Sequence, residues 1–117
     1  MATSVLIVDD HPSFRASARR LLECEGFDVV GEAEDGLGAL DAVERLHPDV
    51  VLLDVQLPDI DGLAVASELS GRRDPPLVIL ISSRDASDYG PAIDESGARG
   101  FVQKGDLSGE LIAALLD

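Results

Sequence analysis

Residues 4–13 read SVLIVDDHPS. Val5 to Val8 form a short, β-branched apolar run of the kind that makes a buried strand, and two carboxylates, Asp9 and Asp10, follow where that strand runs out. Like charges side by side at the edge of a core are unfavourable unless a cation lies between them or water reaches them. The stretch therefore poses both the fold question and the site question.

Working outward, apolar runs recur about every 25 residues: VLIV at 5–8, FDVVGEA at 27–33, VVLL at 50–53, LVILI at 77–81 and FVQ at 101–103. Segments of helical periodicity separate them, which is the pattern of repeated βα units and a parallel sheet. The runs are continuous rather than alternating, as strands covered on both faces require. Ser13 is positioned to cap a first helix with Phe14, Ala18, Leu21 and Leu22 on one face, and Gly26 to end it. Leu37, Leu40 and Val43 make a second stripe that His47-Pro48 stops. A third helix starts near Gly62-Leu63, and a last one near Leu107 carries Leu111, Ile112, Leu115 and Leu116. The fourth is the weak one. Gly90 and Pro91 fall where its middle should be, so a loose turn over 85–90 and a short helix from about Pro91 are expected.

At 117 residues, 45% hydrophobic and 27% charged, the chain is expected to form a single domain over residues 1–117 with a real core. No apolar run approaches the length of a membrane span, and MATSVLIVDD lacks the basic and apolar regions of an export signal. A cytoplasmic location and no membrane partner are the expectation. Cys24 is the lone cysteine, so no internal disulfide can form, and it reads as a packed helical thiol. A formal charge of −14 argues against direct nucleic-acid binding by this chain and favours cations or basic partner surfaces.

Ligands of open parallel α/β sheets bind outside the carboxyl ends of the strands. Those ends carry Asp9 and Asp10 after the first strand, Asp54 after the third, Ser82 and Ser83 after the fourth, and Lys104, the only lysine, after the fifth. Taken singly, each acid could be a helix or loop cap and each hydroxyl a small strand-end residue. Their arrival at one edge is much harder to assign to chance. Three carboxylates call for a hard divalent cation such as Mg²⁺, which takes oxygen ligands and bridges carboxylates to phosphate oxygens. A hydroxyl and an ammonium opposite would orient those oxygens. Asp54, central in the set, suits a nucleophile that accepts a phosphoryl group.

The segments VLIVDDHP, VVLLDVQLPDIDGL, LISSRD and GARGFVQKGDL resemble the four signatures of the receiver domain of two-component response regulators. The resemblance covers essentially the whole chain. It implies a flavodoxin-like α/β fold, a doubly wound five-stranded parallel sheet of order 2-1-3-4-5 with five helices. It also implies that Asp54 is the phosphoacceptor and that Asp9, Asp10, Asp54 and the backbone carbonyl of Gln56 hold Mg²⁺, with Asp10 the more direct ligand of the acidic pair. Ser82 matches the switch hydroxyl, Ser83 the residue whose N–H faces the phosphoryl, Lys104 the site lysine and Phe101 the switch aromatic. Pro58 and Gly62 match the loop after the phosphorylation site. The implied partners are a sensor histidine kinase or phosphotransfer protein, a downstream effector domain or protein, and a second copy in a phosphorylation-dependent homodimer. Such a domain is not an enzyme in the ordinary sense but assists its own phosphorylation and dephosphorylation.

Three features depart from the commonest pattern. Gly105 stands where many receivers have proline, which with DDHP and SSRD resembles the subfamily often linked to a helix-turn-helix output domain. Without proline a cis peptide costs about 2.5–4 kcal/mol, so Lys104–Gly105 should be trans, with glycine's freedom turning the chain. Phe101 lacks the hydroxyl of the tyrosine often found there. The chain reaches Asp117 just after the last helix, without an effector domain. Of the competing functions, an aspartyl-phosphate phosphatase of the haloacid dehalogenase type wants an acid where Gln56 stands, and a flavin or nucleotide carrier wants a glycine-rich loop where DDHPS stands. A pseudo-receiver, folded alike but never phosphorylated, remains the structural alternative.

Overall fold

The computed structural model describes residues 2–117. Five parallel strands, β1 (Ser4–Val8), β2 (Asp28–Ala33), β3 (Val50–Asp54), β4 (Leu77–Ser82) and β5 (Gly100–Gln103), form one sheet in the order β2-β1-β3-β4-β5. They are joined by α1 (Pro12–Cys24), α2 (Gly36–Leu46), α3 (Gly62–Ser70) and α4 (Ala92–Glu95), and α5 (Gly109–Leu116) follows β5. The continuous apolar strands split by side-chain alternation into two cores. Leu6, Val8, Val51, Leu53, Val78 and Leu80 pack with α2 and α3 on one face. Val5, Ile7, Val50, Leu52, Ile79 and Ile81 pack with α1 and α5 on the other. This is the doubly wound sheet expected from the sequence.

The helix phases differ from the stripes inferred above. Leu21 is largely exposed beside the buried Leu22, and Leu37 is 63% exposed. Val43 of the expected stripe is buried and Leu40 packs against the core, but the rest of the buried side of α2 is Gly36, Ala39 and Ala42, small residues that permit close packing. A Cβ on Gly36 would press on Ile60 in the loop after β3 and on Val65 of α3, at 3.1 and 3.2 Å. Ser13 does not cap α1. Pro12, pre-set for the first helical position, starts the helix two residues earlier than a Ser13 cap would, and His11 stands at the cap without a side-chain hydrogen bond. Similarly α5 begins at Gly109, not near Leu107, because the Ser108 hydroxyl accepts from Leu111 N–H. The fourth crossover is as weak as Gly90-Pro91 implied: a single 3₁₀ turn over Ala86–Asp88, then the four-residue α4.

All peptide bonds among the described residues are trans, Lys104–Gly105 included. Gly105 does not use the left-handed region, which Gly26, Gly90 and Gly97 occupy; a 3₁₀ turn over Lys104–Asp106 makes the bend there.

One cap bears on the site. Asp59, in the loop after β3, accepts from the N–H groups of Gly36 at 2.8 Å and Leu37 at 3.0 Å, tying that loop to the start of α2. These backbone donors, with that of Ile60, hold the Asp59 carboxyl below the usual carboxylate range. A lowered pKa stabilises the fold above the unfolded-state value and ceases to do so as pH falls through the folded-state value. Asp59→Ala should therefore lower the Tm at neutral pH, and the gap from wild type should close on titration below about pH 4. A Tm gap that stays constant down to about pH 2.5 would contradict this role.

Candidate functional site

Every polar residue singled out at a strand end lies at the carboxyl edge of the sheet. Asp9 follows β1 and is fully buried, while Asp10 beside it is exposed. The Asp9 backbone is fixed on two sides, its N–H donating to Ala33 O at 3.0 Å and its carbonyl accepting from the Arg15 guanidinium. Arg15 is held in turn by Glu32 on β2, whose carboxyl Arg19 also engages. Burial alone would raise the Glu32 pKa, but the two guanidiniums hold it below the ordinary value.

Asp54 ends β3 and is 3% exposed. Its Oδ1 accepts from Gln56 N–H at 3.0 Å, and its Oδ2 accepts from Lys104 Nζ at 3.2 Å. Lys104 reaches from the end of β5 to within 2.6 Å of Asp9 Oδ2 as well. That second contact is a charge contact rather than an aligned hydrogen bond, so Asp9 Oδ2 is buried with no directional partner. Beneath the ammonium lies the Phe14 ring, 4.7 Å from Nζ to centroid. Burial raises the Asp54 pKa, and the Asp9 charge adds to this; the Gln56 N–H and Lys104 oppose both without reversing them. For Lys104 burial acts to lower the pKa, but Asp9 and Asp54 together pull it above its ordinary value. The ammonium thus stays charged between the two acids it separates.

Carboxylate oxygens of Asp9, Asp10 and Asp54 and a ring nitrogen of His11 all lie within 4.8 Å of one another. His11 was not foreseen in this group. Its Nδ1 stands 3.0 Å from Asp9 Oδ1 and 3.1 Å from Asp10 Oδ1. A buried carboxylate oxygen without an aligned partner, facing further carboxylates, is a donor set that fits a hard divalent cation. Gln56 sits on the exposed loop after Asp54, with Pro58 also exposed beyond it. Gly62 closes that loop, its N–H donating to Val55 O at 2.8 Å.

Ser82, the last residue of β4, is fully buried, and Ser83 beside it is exposed with its carbonyl accepting from Gln103 Nε2 at 3.3 Å. Phe101 on β5 is half-buried on the α2–α3 side of the sheet. Tyr89, which no spacing rule marked, places its hydroxyl 2.7 Å from Ser82 Oγ and its ring 5.9 Å from that of Phe101.

Comparison with known proteins places the chain in a family. Residues 5–116 match the family described as the response regulator receiver domain. The chain is 38% identical over 114 residues to the transcription regulator BvgA of Bordetella pertussis, covering 97% of this chain and 54% of BvgA. It is 34% identical over 112 residues to the DNA-binding transcriptional activator EvgA of Escherichia coli, covering 96% of this chain and 55% of EvgA. It thus spans about half the length of these curated relatives. Among solved structures, the signal receiver domain of NarL from Mycobacterium tuberculosis superposes with a TM-score of 0.90 at 38% identity, over 99% of this chain and 94% of that one. With a family match across nearly its whole length and that family's fold, the chain belongs to the receiver domains of response regulators, the switch modules of two-component signalling.

Proposed function

We propose that Asp54 is the phosphoacceptor of this receiver and that a sensor histidine kinase or phosphotransfer protein is its donor. The observation that carries the reading is the buried Asp54 carboxylate, held by Gln56 N–H on one oxygen and facing Lys104 with the other. An Asp54 oxygen forms the new O–P bond as the donor's N–P bond breaks, and the leaving imidazole takes up a proton from solvent. Lys104 is placed to neutralise the phosphoryl oxygens, and Ser82 and Ser83 N–H to orient them. Asp9, Asp10, Asp54 and the Gln56 carbonyl would hold Mg²⁺, which when bound would offset the negative charge of the site and of the incoming phosphoryl group. Hydrolysis returns inorganic phosphate and the Asp54 carboxylate, so in this reading the domain assists both its loading and its unloading.

Residues 1–117 act as one domain in this reading, in the cytoplasm, with phosphorylation read on the face of α4, β5 and α5 by an effector or a second copy. The net charge of −14 supports an output through partners rather than DNA contact by this stretch. Incubation with acetyl phosphate and Mg²⁺ should add the mass of one phosphoryl group to wild type and none to Asp54→Asn. Excess chelator should prevent the gain. Equal labelling in the variant or in chelator would overturn the assignment, and no mass gain in wild type would leave a pseudo-receiver.

A further inference from the structure

Among the described residues, the hydrogen bond between Ser82 and Tyr89 joins the site edge to the short fourth crossover through side chains alone. Ser82 Oγ is buried, accepts from Arg84 N–H at 3.0 Å and shares a proton with the Tyr89 hydroxyl at 2.7 Å. Tyr89 closes the 3₁₀ turn over Ala86–Asp88, its N–H donating to Ala86 O at 3.1 Å. Its own carbonyl accepts from Ala92 N–H at the start of α4, and Gly90 between them lies at φ 57°. The Tyr89 ring tilts against Phe101 on β5. One side chain therefore touches β4, β5 and the segment leading to α4.

From this we infer that Tyr89 is a positioning residue that restrains Ser82 and reports its engagement, an inference that rests on Asp54 being the phosphoacceptor. A phosphoryl oxygen can only accept, so Ser82 must donate to it. Rotating Ser82 to bring Oγ against a phosphoryl group on Asp54 carries it away from the Tyr89 hydroxyl, whichever of the two donates in the present bond, so that bond is weakened or lost. The Tyr89 side chain is then held only by ring packing. The 86–95 segment, a 3₁₀ turn and four helical residues with no fully buried side chain, is freed with it. The hydroxyl absent from Phe101 is thus provided by Tyr89, from the loop rather than from β5.

Tyr89→Phe keeps the ring against Phe101 and deletes only the hydroxyl. In Mg²⁺ it should bind beryllofluoride, a phosphoryl mimic, about fivefold more tightly than wild type, since a neutral hydrogen bond no longer opposes the bound state. Its unliganded amide NMR shifts over residues 83–103 should move towards those of the wild-type complex. Tyr89 is the only tyrosine and the chain has no tryptophan, so the tyrosine absorbance band, at longer wavelength than that of phenylalanine, reports this ring and hydroxyl alone. The band should shift on beryllofluoride binding in wild type and stay still in Ser82→Ala. Unchanged or weaker affinity in Tyr89→Phe, with unliganded shifts overlying wild type, would make Tyr89 a packing residue and overturn the inference. Failure of wild type itself to bind the mimic, or equal binding by Asp54→Asn, would overturn the phosphoacceptor reading and the Tyr89 role with it.

Discussion

In chelator, Lys104→Met is expected to cost about 3 kcal/mol of stability, the lower end of the range for removing one partner of a buried ion pair because Lys104 keeps some contact with solvent. Methionine keeps an apolar stem of similar length, so the loss reports the ammonium and its contacts with Asp9, Asp54 and the Phe14 ring. What remains is Asp9, fully buried, facing Asp54, 3% exposed, with no cation between them. Two additions should restore stability. Millimolar Mg²⁺ supplies the missing positive charge, and a second substitution, Asp54→Asn, removes one of the two negative ones. Chemical denaturation checks both, and the double variant should be more stable than Lys104→Met alone. An equal loss whether or not Asp54 carries its charge would mean that Lys104 contributes packing and not compensation.

Gly62→Ala is expected to be comparably damaging for a steric reason. A Cβ at this position would lie 2.1 Å from the Asp54 carbonyl oxygen and 2.7 Å from Val55 Cα. Both are backbone atoms, so no rotamer change can clear them. Either the end of β3 moves, carrying Asp54 with it, or the first turn of α3 detaches. A loss of about 3 kcal/mol, the upper end for overpacking, should appear as a lower denaturation midpoint. Gly105→Ala is the matched control. With nothing within 4 Å of where a Cβ would lie and no left-handed φ, it should stay within about 0.5 kcal/mol of wild type. Gly62→Ala within that same margin would show that the approach of α3 to β3 is looser than the structure has it.

The strands were legible because burial on both faces leaves uninterrupted apolar runs, and the βα alternation fixed their parallel pairing. Asp9, Asp54, Ser82 and Lys104 were legible for a related reason, since strand ends in such a sheet converge on one edge. Helix faces were less so. Periodicity marks a stripe but not its exact phase, and in α2 close packing buries Gly36, Ala39 and Ala42 rather than the larger Leu37. Tyr89 was out of reach for another reason. Its seven-residue separation from Ser82 crosses a 3₁₀ turn, where no fixed period relates side-chain directions. Phe14 was placed on the apolar face of α1, where it is half-buried, but its place under Lys104 depends on the reach of a flexible side chain from the far end of the chain. His11 joins the acids only because Pro12 starts α1 immediately after it.

The central claim is that one carboxylate, Asp54, carries the phosphoryl group. Borohydride reduction of an aspartyl phosphate converts that residue to homoserine, which peptide mass spectrometry places in the sequence. After treatment with acetyl phosphate and Mg²⁺, homoserine is expected at position 54 and at no other acidic residue, and it should disappear when chelator replaces Mg²⁺. Homoserine at position 9 or 10, or a phosphorylated protein that yields none at 54, would contradict the account.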